Sequence, residues 1–238
     1  MIVDDLHRRY AAIKRRTDAL PDFPSEDLQR SRRLFEMIAD QPQPQPRRFE
    51  VWTFCAGLPI PEELQSKFAQ IRNIVDVELP SSVARYWVPL DRLQWEVLTV
   101  KWPDEDLEPS LLTSAPALVR DVLARMEPLT LDFRGFLIST EGTLIGRGFG
   151  SIHELKDAMV HGIPFASARQ SRIGHISLGR VLSPVGPAVF SRLREVVDSS
   201  LDIRFGSLLV SQIKYVHEKR WYMGEVDVIE TLSLGCRL

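Results

Sequence analysis

The sequence predicts an α+β chain made of a helical annex, a proline-rich spacer and a larger domain of two similar halves. Apolar residues recur at helical spacing through residues 1–40, and the run QPQPQP interrupts them at 41–46. From residue 47 strand-like alternation is interleaved with helical spacing. Two strand-like segments, 90–100 and 173–180, also share one binary pattern, as two halves of a duplication would.

In the annex, Leu6, Tyr10, Ala12 and Ile13 form a helical stripe, and Ser25 is placed to cap a second helix through Leu28, Leu34, Phe35 and Ile38. Ten Lys and Arg against eight Asp and Glu over residues 1–48 make this part only modestly basic, with acids interleaved, so it reads as a solvated surface. The spacer is expected to be extended and to separate residues 1–46 from a domain at 47–238. RRFEVWTFCAGLPI then reads as a strand, and PEELQSKFAQIRNIV as a helix opened by Pro61. Strand-like pieces follow at 83–89 and 93–101, then a helix at 109–126. LTLDFRGFLISTEGTLIGRGF reads as two strands turned at Glu141-Gly142. SIHELKDAMVHG reads as a helix with a Ser151/Glu154 capping box. A strand at 173–180, the helix PAVFSRLREVVDSS and closing strands FGSLLVSQIKYVHE and RWYMGEVDVIETLSL complete the order.

Bulk properties narrow the function classes. A chain of 238 residues with 44% hydrophobic and 26% charged residues is that of an ordinary soluble protein, and a net charge of −2 gives no case for a nucleic-acid coat or a membrane-surface protein. Cys55 and Cys236 are too few and too far apart for a zinc site or a disulfide framework. No stretch approaches membrane-spanning length. Cytoplasm is the expected compartment, with no membrane association, no metal and no cofactor.

The informative stretch is SRIGHISLGRV at 171–181. Successive strand side chains point to opposite faces, so Ile176 and Leu178 share one face and His175 and Ser177 the other. An imidazole and a hydroxyl aimed together off a strand make a candidate phosphate site. In LDRLQWEVLTV, Gln94 and Glu96 form the matching polar pair, with Gln94 81 positions before His175.

These residues resemble those of the 2H phosphoesterase superfamily, which includes the LigT-type RNA 2',3'-cyclic phosphodiesterases, also called 2'-5' RNA ligases. GHISLGR looks like the second of that family's two His-x-Thr/Ser motifs, and FEVWTFCAGLPIPEELQSKF is similar to its opening strand, proline turn and helix. The resemblance covers roughly residues 47–235. It implies a bilobal fold with two pseudo-symmetric antiparallel sheets flanked by helices, a cleft between them, and metal-free acid–base chemistry by two facing histidines. Where the first histidine belongs, this chain has Gln94, with Glu96 two places on; an alternative register puts Val97 and Thr99 there, which supplies a hydroxyl but again no histidine.

Histidine suits acid–base work because its pKa lies near working pH. Gln94 can donate a hydrogen bond but cannot shuttle a proton. The leading expectation is a 2H-like protein whose cleft binds a phosphate-bearing nucleotide or RNA end, with weak or altered phosphodiesterase activity at most. His175 and Ser177 would serve as catalytic residues. In the alternative reading it is an active cyclic phosphodiesterase, 2'-5' hydrolase or ligase, with Glu96 as substitute base. In a third, non-enzymatic reading, residues 1–46 dock a protein partner.

Further ligand-binding candidates are Gln94, Arg180, Arg147, Tyr215 and His217. Arg180 alternates onto the Leu178 face, so a cleft role requires the strand to twist or end there. Arg147 lies in the glycine-rich GTLIGRGFG, whose amides could reach a phosphate. Tyr215 and His217 share a face of a late strand. The tryptophans at 52, 87, 95, 102 and 221 read as core.

Overall fold

The computed structural model describes residues 2–37 and 43–235. Ile38, the first residues of the proline run and Cys236 lie outside them. In chain order the elements are α1 (Ile2–Asp18), α2 (Ser25–Arg32), β1 (Phe35–Glu36), β2 (Gln45–Pro46), β3 (Arg48–Ala56), α3 (Glu62–Glu78), β4 (Arg85–Trp87), a 3-10 turn at Leu90–Arg92, and β5 (Trp95–Lys101). They continue with α4 (Pro109–Arg125), β6 (Leu129–Ile138), β7 (Thr143–Phe149), α5 (Ile152–Gly162), β8 (Gly174–Val181), α6 (Pro187–Ser200), β9 (Arg204–Val210), β10 (Gln212–Arg220) and β11 (Glu225–Ser233).

The strands run in the order β11-β10-β3-β5-β8-β7-β6-β9, all antiparallel, with β4 added to β8. This is two four-stranded halves, because β5 and β8 meet through the single pair Trp95–Ile176. The bilobal α+β architecture expected from the resemblance is therefore present. A second tie crosses the halves at Ser211, the one residue between β9 at the far edge and β10 in the other half. The closing segment FGSLLVSQIKYVHE is thus two strands, not the single one its unbroken alternation suggests.

Helix α3 packs on β8, β9 and α6, while α4 packs on β11 and α5. Phe68 of α3 meets Phe133 edge to face, and Gly146 lacks the Cβ that Phe68 would strike at 2.8 Å. Trp95, fully buried, anchors the seam between the halves.

The annex shares this core. Leu6, Tyr10, Phe23, Leu28 and Phe35 are buried with the sheet residues, and α1 lies against β6 and β7. Tyr10 Oη donates to Gly148 O at 3.1 Å and accepts from Gly148 N at 3.2 Å. Its apolar stripe is spent on the fold. Two capping expectations are corrected. Ser25 is the first residue of α2 and caps nothing with its side chain, and α2 ends at Arg32, before Leu34 and Phe35. Ser151 precedes α5 with φ −79°, ψ 57° and no side-chain cap bond, a backbone turned away from the extended form that aims a capping hydroxyl.

Candidate functional site

The ladder pair Trp95–Ile176 sets the site. One step either side of it, antiparallel register brings Glu96 opposite His175 and Gln94 opposite Ser177. All four line one cavity of about 230 Å³, whose wall also holds Arg92, Arg180, Glu218, Trp221 and Tyr222. Two polar pairs read from separate halves of the sequence thus share a groove.

Arg180 joins them through a β-bulge. In the β7–β8 ladder Ile145 pairs with Ser177 and Leu144 with Gly179, which leaves Leu178 as an extra residue. The bulge resets the alternation, so Arg180 returns to the face of His175 and Ser177. Its Nη1 donates to Ser31 Oγ at 3.0 Å and its Nε to Tyr222 Oη at 3.1 Å. Arg92, from the 3-10 turn, has no side-chain hydrogen bond or ion pair among the described residues. It is a guanidinium free to meet an anion at the cavity wall.

Behind the seam lies Lys156 of α5, nearly fully buried. Its Nζ donates to the carbonyls of Val97 at 2.8 Å, Ser171 at 3.0 Å and Glu96 at 3.2 Å, and sits 5.5 Å from the Trp95 ring. Burial lowers its pKa to about 8, although the Glu96 carboxylate opposes the shift. The same ammonium acts on its neighbours. Burial, and then Lys156, push His175 down to about 4, so the imidazole is held neutral. Ser171 Oγ lies 3.5 Å from His175 Nδ1. Glu96 is raised by burial, with Lys156 pulling it back.

Glu218 of β10 is the residue that sequence reading missed. It is 5% exposed, and its Oε1 accepts the Met223 N–H at 2.7 Å. Burial, with Glu96 adding to it, lifts its carboxyl to about 8. The alternation of β10 is the available signal, and the expected face lies one place out of step with the real one. Glu218 lines the cleft, and Val216 shares its face of the strand, buried against Cys55 and Met223. Tyr215 and His217, both expected there, point the other way. Tyr215 is buried and donates to Leu112 O at 2.9 Å. His217 stacks flat on Trp52 at 4.2 Å between centroids.

Arg147 is corrected as well. It pairs with His175 in the ladder, yet its Nε donates to Arg134 O at 3.1 Å and its Nη2 to Leu201 O. The guanidinium occupies a notch at Gly135, where a Cβ would collide with it, and lies over the Tyr10 and Phe149 rings. Trp102 and Trp221, read as core, stand on the cleft wall.

Polar atoms in the groove lack protein partners. Gln94 Oε1 and Trp221 Nε1 are buried with none, an unusual state for such groups unless a ligand or water meets them. Among the described residues no group of three or more His, Cys, Asp and Glu side chains is arranged to hold a metal ion, and no helix is long and apolar enough to cross a membrane.

No family model and no curated protein matches the chain by sequence. Solved structures match it by shape. TT0787 of Thermus thermophilus superposes with a TM-score of 0.56 at 15% identity, covering 78% of this chain and 98% of that one. E. coli LigT in apo form gives 0.52 at 12% identity, with 79% and 99% covered. The chain has the LigT fold. ATU0111 of Agrobacterium tumefaciens, a conserved protein of unknown function, gives 0.59 at 12% identity over 82% of this chain and 89% of its own. The LigT-like fold spans most of the sequence and carries two four-stranded halves, with the cleft along their seam.

Proposed function

We propose that the inter-lobe cleft binds a phosphate-bearing ligand, a nucleotide or an RNA end, with weak or altered metal-independent phosphodiesterase activity at most. The observation that carries this reading is the meeting of Gln94 and Glu96 with His175 and Ser177 in one cavity, beside Arg92, whose guanidinium has no protein partner among the described residues. Charge-assisted bonds to phosphate oxygens are the strong ones, and a planar guanidinium suits them. The Ser177 hydroxyl is a further donor to an anion held there. E. coli LigT, which shares the fold, has been crystallised with NADP+, a phosphate-bearing dinucleotide, at a TM-score of 0.50.

A second reading, an active cyclic phosphodiesterase with Glu96 as base, is favoured by the position of Glu96 opposite His175. Replacement of Glu96 by Gln should then remove turnover while leaving binding intact. Docking of a protein through residues 1–46 has less support, since the apolar side of that segment is buried.

The test is incubation of the pure chain with 2',3'-cyclic nucleotides and 2'-5' linked oligonucleotides, beside a binding titration with adenosine 2'-phosphate. Saturable binding with slow or no turnover, both reduced in His175→Ala, is the expected result. Absence of any binding to the wild-type chain would refute the reading.

A further inference from the structure

Glu218 stands on the wall of the same cavity as Gln94, the residue that replaces the first histidine. Its side chain is buried on the cleft wall, and Oε1 is occupied by the Met223 N–H, which leaves Oε2 for a ligand. No lysine or arginine forms an ion pair with it among the described residues, whereas Glu96 has the Lys156 ammonium behind it. A carboxyl buried without a counter-charge keeps its proton. The turn that supplies the Met223 amide holds Tyr222 at φ 57° and Met223 at φ 55°, left-handed conformations that non-glycine residues adopt at a cost. Such strain clusters at functional sites.

Resting on the phosphate-binding reading above, we propose that Glu218 and His175 form the acid–base pair of this cleft, acting on a 2',3'-cyclic phosphodiester. His175, neutral, takes a proton from the attacking water through its free ring nitrogen as the water oxygen bonds to phosphorus. The bond from phosphorus to one ribose oxygen breaks, its electron pair goes to that oxygen, and Glu218 supplies the proton that makes it a hydroxyl. The product is a ribose phosphomonoester. Imidazolium and carboxylate then exchange their protons with solvent, so the net change is the addition of one water. Neither metal nor redox partner enters. A carboxylate would repel a phosphodiester at close range, whereas a protonated acid meets the substrate in its uncharged form.

The groups facing Glu218 are Glu96 of β5, Cys55 of β3, His175 and Arg180 of β8, Tyr86 of β4, Arg92 of the 3-10 turn and Tyr222 of the turn after β10. An acid limb and an alkaline limb in the rate therefore need assignment by substitution.

The experiment uses the full chain and 2',3'-cyclic AMP, measuring kcat and KM from pH 5 to 10 for wild type, Glu218→Gln and Glu218→Asp, with adenosine 2'-phosphate binding titrated on each. Glutamine keeps an oxygen for the Met223 amide but gives up no proton. It should lower kcat by about 10²-fold or more while affinity for adenosine 2'-phosphate is kept. In the wild type the rate should fall above about pH 8, the value to which Glu218 is lifted. A wild-type chain that binds adenosine 2'-phosphate but hydrolyses nothing, shows no alkaline limb, or loses no rate on Glu218→Gln would overturn the assignment and leave Glu218 as an anchor for its turn. A wild-type chain that binds no nucleotide fails the phosphate reading itself. Should Glu218→Gln not fold, the wild-type alkaline limb and the aspartate variant decide between these outcomes.

Discussion

Ser31 and Arg180 touch across 149 positions of sequence: the annex hydroxyl accepts from the motif arginine at 3.0 Å and donates to Glu141 O at 2.7 Å. The bond ties the N-terminal helices, which the family resemblance leaves unexplained, to the cleft. Ser31 is 1% exposed, so no water can replace it freely.

Ser31→Ala is therefore expected to cost ~1–2 kcal/mol in urea unfolding, the usual penalty for stranding a buried partner. It should also weaken adenosine 2'-phosphate binding, because Arg180 loses one of its two side-chain supports. Unchanged affinity would mean that the annex buttresses the fold without shaping the site.

Arg92 separates binding from stability. Its guanidinium makes no hydrogen bond or ion pair with the protein among the described residues, so Arg92→Gln should leave the melting temperature essentially unchanged. Affinity for a nucleotide monophosphate should drop ~10-fold or more, as expected for one charge-assisted contact. Calorimetry on the two proteins reads both quantities.

Lys156 is the reverse case. Three backbone carbonyls depend on its ammonium. Lys156→Met should destabilise the chain by ~2–4 kcal/mol, since the methionine offers no donor to them. With the cation gone, the His175 pKa should move up, because Lys156 is the second cause of its depression. Chemical denaturation and a histidine NMR titration measure the two effects.

Glu218 makes a signed prediction about pH and stability. Its folded pKa, about 8, lies above the ordinary glutamate value of 4.5. The folded state thus binds the proton more tightly than the unfolded chain. That stabilisation is whole below pH 4.5 and is lost as pH rises toward 8, by up to ~1.4 kcal/mol per pH unit. Glu218→Gln carries no such term, so its melting temperature relative to wild type should rise between pH 5 and pH 8. A constant difference would show that Glu218 ionises freely.

Much of this was legible in residues alone. GHISLGR gave the strand, its polar face and the likeness to a two-motif family, and the matched pair Gln94 and Glu96 located the opposite wall. The rest depended on events without a local sequence signal. A bulge at Leu178 decided that Arg180 faces the cleft. Strand β10 offers a polar residue on each face, His217 on one and Glu218 on the other, and alternation alone does not say which one the cleft receives. Only tertiary packing on Trp52 and Leu112 shows which face is inside. Arg92 sits in a 3-10 turn, where no periodicity marks a direction. Arg147 was drawn off by a notch at Gly135 that local spacing does not reveal.

The most direct measurement is a histidine side-chain NMR titration of the full chain with adenosine 2'-phosphate. The His175 ring resonances should shift on saturation, and the pKa should climb from about 4 as the bound anion favours imidazolium. His217, stacked on Trp52 on the opposite face, should stay still. Movement of His217 with His175 unmoved would contradict the account.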